Sequence, residues 1–457
     1  MAIYHLTVSV VSRARGHRIV ASAAAQSCTK LRDEYYGVVH NGALKPGVEH
    51  AEIRAPAGAL PWVYARELLW NRVEAAERRK DSQLARAMDI SLPVELTGAE
   101  SIALLREFVD VEFVSKGMIA DIAIRRKNPD NPNARVLLTL RELNAVGFGP
   151  KVRLWNRKSN LLDWRSAWAQ RANFHLARAG HRVRIDHRTL EAQQIELAPA
   201  RKTGVGRPLD GDPNLPQYLQ NRLAEQREIA RQNGATILQD PSVAIRMLAH
   251  QRSIFTRDDL IGFLTSRTDG GAQLEAAVSA IMSCSELVAL APAAGGASLF
   301  TSRDMIEAEK SLLRRAQAMS ARRGRAPSPS AAATHGQHLW SQTTRDAFAY
   351  VISEGDFKAI ALPNSETNEF LNAARAVWIE RGNRVLDAVP LQHADPLARN
   401  DVVVLQGSEM IELKLLERHL AVVEKARAKI VLVGDSKQVE AMGSISPMQN
   451  LLGLVSS

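Results

Sequence analysis

Residues 121–140, DIAIRRKNPDNPNARVLLTL, contain two apolar runs, DIAI and VLLTL, around a polar loop with Asn-Pro twice and a cluster of Arg and Lys. Apolar runs bounded by Asn/Pro turn signals predict two strands joined by a short connection. Alternation along the second strand puts Asn133 and Arg135 on one face, with Val136 and Leu138 on the other. Arg125, Asn133 and Arg135 are thereby aimed at one spot beside a buried sheet, and Arg126, Lys127 and Arg141 add charge around them.

The wider composition frames that hairpin. A chain of 457 residues has room for about two to four domains, each with its own core. Apolar content of 46% and charged content of 24% are ordinary for a globular protein. No apolar run reaches the roughly 18 residues of a membrane span. The opening MAIYHLTVSVVSRARG alternates like a strand and lacks a basic region ahead of its apolar run, so no signal peptide is expected. Cys28 and Cys284 form no metal or redox spacing, which fits a reducing cytoplasm. The net charge of +10 favours an anionic partner, nucleic acid above all.

The chain reads as α/β. After the opening strand, Ile19 to Asp33 predicts a small-residue helix. YARELLWNRVEAAERRKDSQLARAM, 64–88, predicts a long amphipathic one with Leu68, Leu69, Val73 and Ala76 on its apolar face. Thr97 with Glu100 has capping-box spacing, and Gly180 stops a helix over WRSAWAQRANFHLARA. GVGRPLDGDPNLP, 204–216, is a linker by composition; 217–318 looks mostly helical, with Thr256 at a helix start. SARRGRAPSPSAAATHGQ, 320–337, is basic and of low complexity, hence a flexible linker. From 338 onward, AARAVWIERGNRV, VVVL and KIVLVGDSKQ alternate helices with continuous apolar strands, the pattern of a parallel sheet.

Several strings resemble the MobA/MobL relaxase family, in particular its Ti-type relaxase–helicases of conjugative plasmids. They are MAIYHLTVSVVSR, ASAAAQSC, GVEHAEI, LWNRVEAAERRKDSQLARAMDISLPVEL, NPDNP with VLLTLREL, and RIDHRTLEAQQIELAP. DFKAIA, AARAVWIERGNRV and EKARAKIVLVGDSKQVEAM are similar to the start of the family's superfamily-1 helicase part. The resemblance implies a relaxase-like α+β domain over 1–203, with a central antiparallel sheet and flanking helices. A helical connecting domain over 204–319, the linker, and a truncated helicase-like domain over 338–457 follow. Such relaxases nick one DNA strand at an origin of transfer. A tyrosine attacks the scissile phosphate, and a divalent metal held by three histidines polarises it.

Each of those parts is altered here. The ligand positions correspond to Arg125, Asn133 and Arg135. Arginine has no lone pair to give, so it cannot be a ligand, and Asn133 offers one weak carbonyl. The nucleophile pattern S-A-A-Y reads Ser22-Ala23-Ala24-Ala25, placing Ala25 at the tyrosine position. Tyr35 and Tyr36 follow about three helical turns later, roughly 15 Å if the helix continues. Asp33 and Glu34 match an acidic position without the rest of the site. In the helicase part the phosphate loop falls on Ala361 to Asn368 without glycines or lysine, and Glu366 would repel phosphate. The second ATPase motif falls on Gln406-Gly407; only Gly434, Asp435 and Gln438 remain of a third. Of the twelve histidines, His5 sits on a strand, His40 and His50 on loops, and His187 has a structural setting.

Three functional readings follow, beside that of a decayed copy with no function. One is a non-cleaving, transfer-associated remnant that binds single-stranded DNA through Arg125, Arg126, Lys127, Arg135 and Arg141. A second is an active nickase that uses Tyr35 or Tyr36. A third is a regulatory protein that pairs with an intact relaxase or the transfer machinery. No cofactor is expected, although the family uses a divalent metal and, in its helicase part, ATP with Mg²⁺. The expected location is the cytoplasm.

Overall fold

Five strands in the first half of the chain pair into one antiparallel sheet. The computed structural model describes residues 4–44, 47–129, 131–144, 147–157, 159–181, 183–193, 195–199, 216–290, 298–322, 340–387, 397–408, 411–437, 439 and 451–452. They fall into two compact units. One comprises Met1–Asn233, His250–Arg252 and Arg267–Asp269; the other comprises Gly234–Ala249, Ser253–Ser266 and Gly270–Ser457. The boundary expected at 203/204 lies outside the described residues, as does the expected linker from 323 onward.

The first unit runs β1 (Leu6–Ser12), α1 (Ile19–Ser27), β2 (Lys30–Asp33), β3 (Val38–Asn41), β4 (Val48–Arg54), α2 (Arg66–Ala75) and β5 (Gln83–Ser91). It continues with α3 (Gly98–Glu112), β6 (Ala120–Arg125), β7 (Asn133–Leu138), β8 (Arg141–Asn144), β9 (Gly147–Lys151), α4 (Ser159–Arg178) and the start of α5 (Gln217–Gln239). The central sheet has strand order β1-β5-β7-β6-β4. Its two faces bury different helices. Ala85, Ala87 and Leu137 meet α1 and α2 through Val20, Ala23, Leu69 and Trp70. Ile122, Ile124, Val136 and Leu138 meet α3 and α4 through Leu104, Phe108, Trp164 and Trp168. Each large side chain buried this way contributes about 1.5–3 kcal/mol. The Thr97–Glu100 capping box is present at the start of α3. Gly180, at φ 79, follows the end of α4.

Two expected helices are shorter than their sequence patterns. α1 ends at Ser27; Cys28 adopts φ 54 and returns its N–H to Ala24 O, and the chain then enters β2. Gly42 packs so close to this end that a Cβ would stand 1.8 Å from Ala24 O. The helix expected over 64–88 stops at Ala75, and Gln83–Ser91 is a strand. LARAM is a good helix former locally, but as β5 it pairs with β1 on one side and β7 on the other. Two strand ladders outweigh a propensity of a few tenths of a kcal/mol per residue.

The second unit holds the rest of α5, then α6 (Pro241–Gln251), β10 (Phe255–Thr256), α7 (Arg257–Thr265), α8 (Gly271–Met282), β11 (Leu287–Leu290), β12 (Leu299–Ser302) and α9 (Arg303–Ser320). After them come α10 (Gln342–Ile352), β13 (Phe357–Leu362), α11 (Asn364–Glu380), β14 (Arg384–Asp387), β15 (Asp401–Gln406), α12 (Leu413–Ala426) and β16 (Lys429–Asp435). Thr256 caps α7 with Asp259, as its position predicts. A small sheet, β10-β12-β11, interrupts the region expected to be mostly helical. The parallel sheet is present, in the order β13-β16-β15-β14. Its faces are covered by α10 and α11 on one side and by α9 and α12 on the other, which explains the unbroken apolar runs of its strands. Among the described residues no helix is long and apolar enough to cross a membrane.

Candidate nucleic-acid interface

Register decides what the hairpin presents. Arg125 pairs with Asn133, and Ala123 with Arg135. On the other side Asn133 pairs with Ser91, and Arg135 with Asp89. Paired residues share a face, so Arg125, Asn133 and Arg135 all project on the α1 side of the sheet. The convergence read from alternation is therefore present.

The three side chains differ in their engagement. Arg125 Nη2 donates to the carbonyls of Ala25 and Gln26, the latter at 3.3 Å. It thus joins the hairpin directly to Ala25 near the end of α1. Asn133 is exposed. Arg135 lies 4.0 Å from Asp89, too far for a hydrogen bond. The Nε donors of both Arg125 and Arg135 are buried and have no partner among the described residues. A buried N–H left unpaired costs about 1–3 kcal/mol, and a phosphate oxygen is the acceptor that guanidinium geometry suits best.

A buried clamp holds this face in place. Asp121 is fully buried at the other end of β6 and accepts from Arg66 Nε (2.8 Å), Arg66 Nη2 (3.0 Å) and Trp70 Nε1 (2.8 Å). Gln26 Nε2 donates to Asp121 O at 2.7 Å, tying α1 to the same strand. Burial pushes the Asp121 carboxyl above the ordinary range against the pull of Arg66. No local pattern announces this clamp, since Asp121 lies more than fifty residues from each of its partners.

The remaining basic residues do not join Arg125 and Arg135. Arg126 donates to Glu49 (2.9 Å) and to Ser101 on α3, across the sheet from α1. Lys127 is exposed in the loop. Arg141 lies beyond the far end of β7, about 17 Å of strand or more away. There it donates to Glu77 (2.9 Å) and Gly149 O (2.8 Å). Burial raises the Glu77 carboxyl, but Arg141 and Lys151 together hold it below the usual range.

Tyr35 and Tyr36 occupy the turn between β2 and β3, with 57% and 37% of their surface exposed. Because α1 ends at Ser27, the helical spacing expected between them and Ala25 does not apply. Asp33 is buried beside His40 Nε2 at 3.2 Å, and Glu34 N donates to Asn71 Oδ1 at 2.9 Å. His40 and His50 lie on β3 and β4, not on loops. His187 sits 3.8 Å from Asp186, and burial lowers its pKa. Among the described residues no three His, Cys, Asp or Glu side chains are grouped to hold a metal ion. With two arginines and one asparagine at the hairpin, the residues present do not fit the family's metal.

In the second unit the carboxyl ends of β13, β15 and β16 share one edge, where open parallel sheets bind ligands. Leu362 is in register with Asp435, and Gln406 with Val433. Pro363 caps α11 and Glu366 lies in its first turn, accepting from Thr344 Oγ1. Asp435 Oδ1 accepts from Lys437 N at 2.9 Å, Gly434 is buried, and Gln438 lies outside the described residues. These groups do not fit a nucleotide phosphate: a carboxylate already occupies the positive end of the helix.

The chain is also similar in sequence to known proteins. Residues 17–207 match the MobA/MobL family. The conjugal transfer protein TraA of Agrobacterium fabrum (strain C58) is 30% identical over 96% of this chain and 46% of its own length. The mobilization protein MobL of Acidithiobacillus ferridurans is 32% identical over 45% of this chain and 62% of its own. A solved structure, "Molecular Basis of Vancomycin Resistance Transfer in Staphylococcus aureus", is 34% identical, covering 41% of this chain and 100% of the other, with a TM-score of 0.40. The chain thus spans about half the length of the TraA relative.

Proposed function

Because this chain belongs to the MobA/MobL family of conjugative relaxases, we propose that it keeps a single-stranded DNA partner and has lost strand cleavage. One observation carries the reading: two guanidiniums on the α1 face have buried Nε donors with no acceptor among the described residues. A backbone phosphate seated between Arg125 and Arg135 satisfies both, with Asn133 and Lys127 at its rim. The chemistry is absent for reasons internal to the residues. Ala25 carries no nucleophile, and the hairpin offers no three lone pairs to a metal. Arg126 and Arg141, already paired with carboxylates, contribute to the general basic field rather than to this phosphate.

The same reading extends to 338–457, a helicase-like part without nucleotide turnover. Glu366 and Asp435 lie at the edge where phosphate would sit, and both repel it. Saturating Mg²⁺-ATP is expected to leave the melting temperature unchanged.

The test is binding of fluorescent single-stranded oligonucleotides as a function of salt. Changing Arg135 to Ala is expected to weaken binding and lower the slope of log K against log salt by about one. An unchanged slope removes Arg135 from the DNA. A denaturant-stable protein–DNA adduct in Mg²⁺ or Mn²⁺, lost in Y35F/Y36F, refutes the loss of cleavage.

A further inference from the structure

The β2–β3 hairpin carries an arrangement that neither cleavage nor the phosphate site uses. Tyr35 and Tyr36 stand at its tip with ring centroids 4.8 Å apart and planes at 75°. Each ring is backed by a guanidinium: Arg13 Cζ lies 4.4 Å from the Tyr35 centroid, and Arg18 Cζ lies 4.3 Å from that of Tyr36. Arg13 is immobilised. Its Nε donates to Glu74 Oε1 (2.7 Å), Nη2 to Glu74 O (2.9 Å), and Nη1 to Glu77 O (3.1 Å) and Arg79 O (2.9 Å). The ring above it therefore rests on a fixed support while remaining 57% exposed.

The hairpin behind the tip is basic on its outward side. Lys30 pairs with Asn41 and Arg32 with Val39, so these four share a face, and Leu31 and Asp33 point inward to burial. Lys30, Arg32 and the nearby Arg15 are exposed, and their side chains make no ion pair among the described residues; the Arg32 N–H donates to Glu67 Oε2 at 2.7 Å, and Glu34 is an exposed acid at the turn. Exposed aromatic rings beside free cations match a ligand that alternates flat π faces with anionic groups. That combination describes an unpaired nucleic-acid strand, whose bases are free to leave the stack. Backing by guanidinium strengthens the case, since a ring held on one face pays little ordering entropy when a base covers the other.

We infer that Tyr35 and Tyr36 form a stacking platform for unpaired bases of single-stranded nucleic acid, with Lys30 and Arg32 on the flanking phosphates. The inference rests on the DNA-binding reading above but concerns a different surface from Arg125 and Arg135. It also gives the two tyrosines a role other than nucleophile.

The experiment compares two oligonucleotides of equal length and charge, one of thymidines and one of abasic residues, on the full chain. Wild type is expected to prefer the base-bearing strand. Y35L/Y36L is expected to lose that preference by about 5- to 50-fold per ring and to bind the abasic strand as before. Y35F/Y36F, which keeps both rings, is expected to retain it. Unchanged abasic binding also shows that the leucine variant is folded. If Y35L/Y36L keeps the base preference, the platform is wrong and the DNA reading stands. If wild type binds neither strand, the DNA reading fails and the platform with it.

Discussion

The α1 face of the antiparallel sheet and the strand-end edge of the parallel sheet carry opposite charge. On the first, Arg125 and Arg135 project from neighbouring strands, so the local charge is positive. On the second, Pro363 and Glu366 stand at the head of α11 beside Asp435, so the charge is negative. A positive surface attracts a phosphate; one lined by carboxylates repels it. The difference is one of electrostatics rather than of fold, since both sheets are intact.

The largest expected effect breaks the support of the positive face. Asp121→Ala leaves Arg66 buried without its carboxylate, which costs about 3–5 kcal/mol. It should lower the urea midpoint of the first unit sharply, whereas Asp121→Asn, still able to accept from Trp70 or Arg66, should cost less. A near-wild-type midpoint for the alanine variant would show that the clamp does not hold the face.

The next test places imidazoles on the positive face. R125H/N133H/R135H places three imidazoles on one face, two of them directly paired and the third two residues along β7. It is expected to bind Mn²⁺ or Zn²⁺, seen as a metal-dependent rise in stability of about 2.7 kcal/mol at a hundredfold excess over Kd. Wild type is expected to show no such rise. Absence of the rise in the variant would mean that this register cannot gather a metal.

Smaller effects follow. Arg125→Ala removes the donor to Ala25 O and Gln26 O at the end of α1 and is expected to cost about 1–2 kcal/mol, measured by chemical denaturation. The smallest effect is a pH dependence in the second unit. His419, on α12, is buried with neither ring nitrogen paired among the described residues, and burial lowers its pKa. The unfolded chain therefore binds the proton more readily, so the second unit loses stability as pH falls below about 6.5, by at most about 1.4 kcal/mol per pH unit. His419→Leu should flatten that dependence; an unaltered profile would place the sensitivity elsewhere.

Much of this was legible in the residues. The hairpin, its shared face, the capping box at Thr97, the helix start at Thr256 and the parallel sheet follow from local periodicity and end signals. The limits of local reading show at 76–88, where the expected helix has already ended and 83–88 belong to a central strand because two neighbours pair with it. They show again at Arg126 and Arg141, which look equivalent to Arg125 on paper. Each is bound to a carboxylate at some distance in sequence, Glu49 for one and Glu77 for the other. Nothing near Tyr35 in the chain signals Arg13 beneath it.

What the sequence by itself determined is therefore chemical identity. Arginine at 125 and 135 and alanine at 25 exclude metal ligation and nucleophilic attack whatever their surroundings, because a side chain's lone pairs and reactive atoms are intrinsic. What only the tertiary structure decided is which charges are spent and which are free. Partners such as Arg66 with Asp121, or Arg125 with the end of α1, lie 55 and 100 residues apart. A local pattern carries no record of the face that another segment will bring against it.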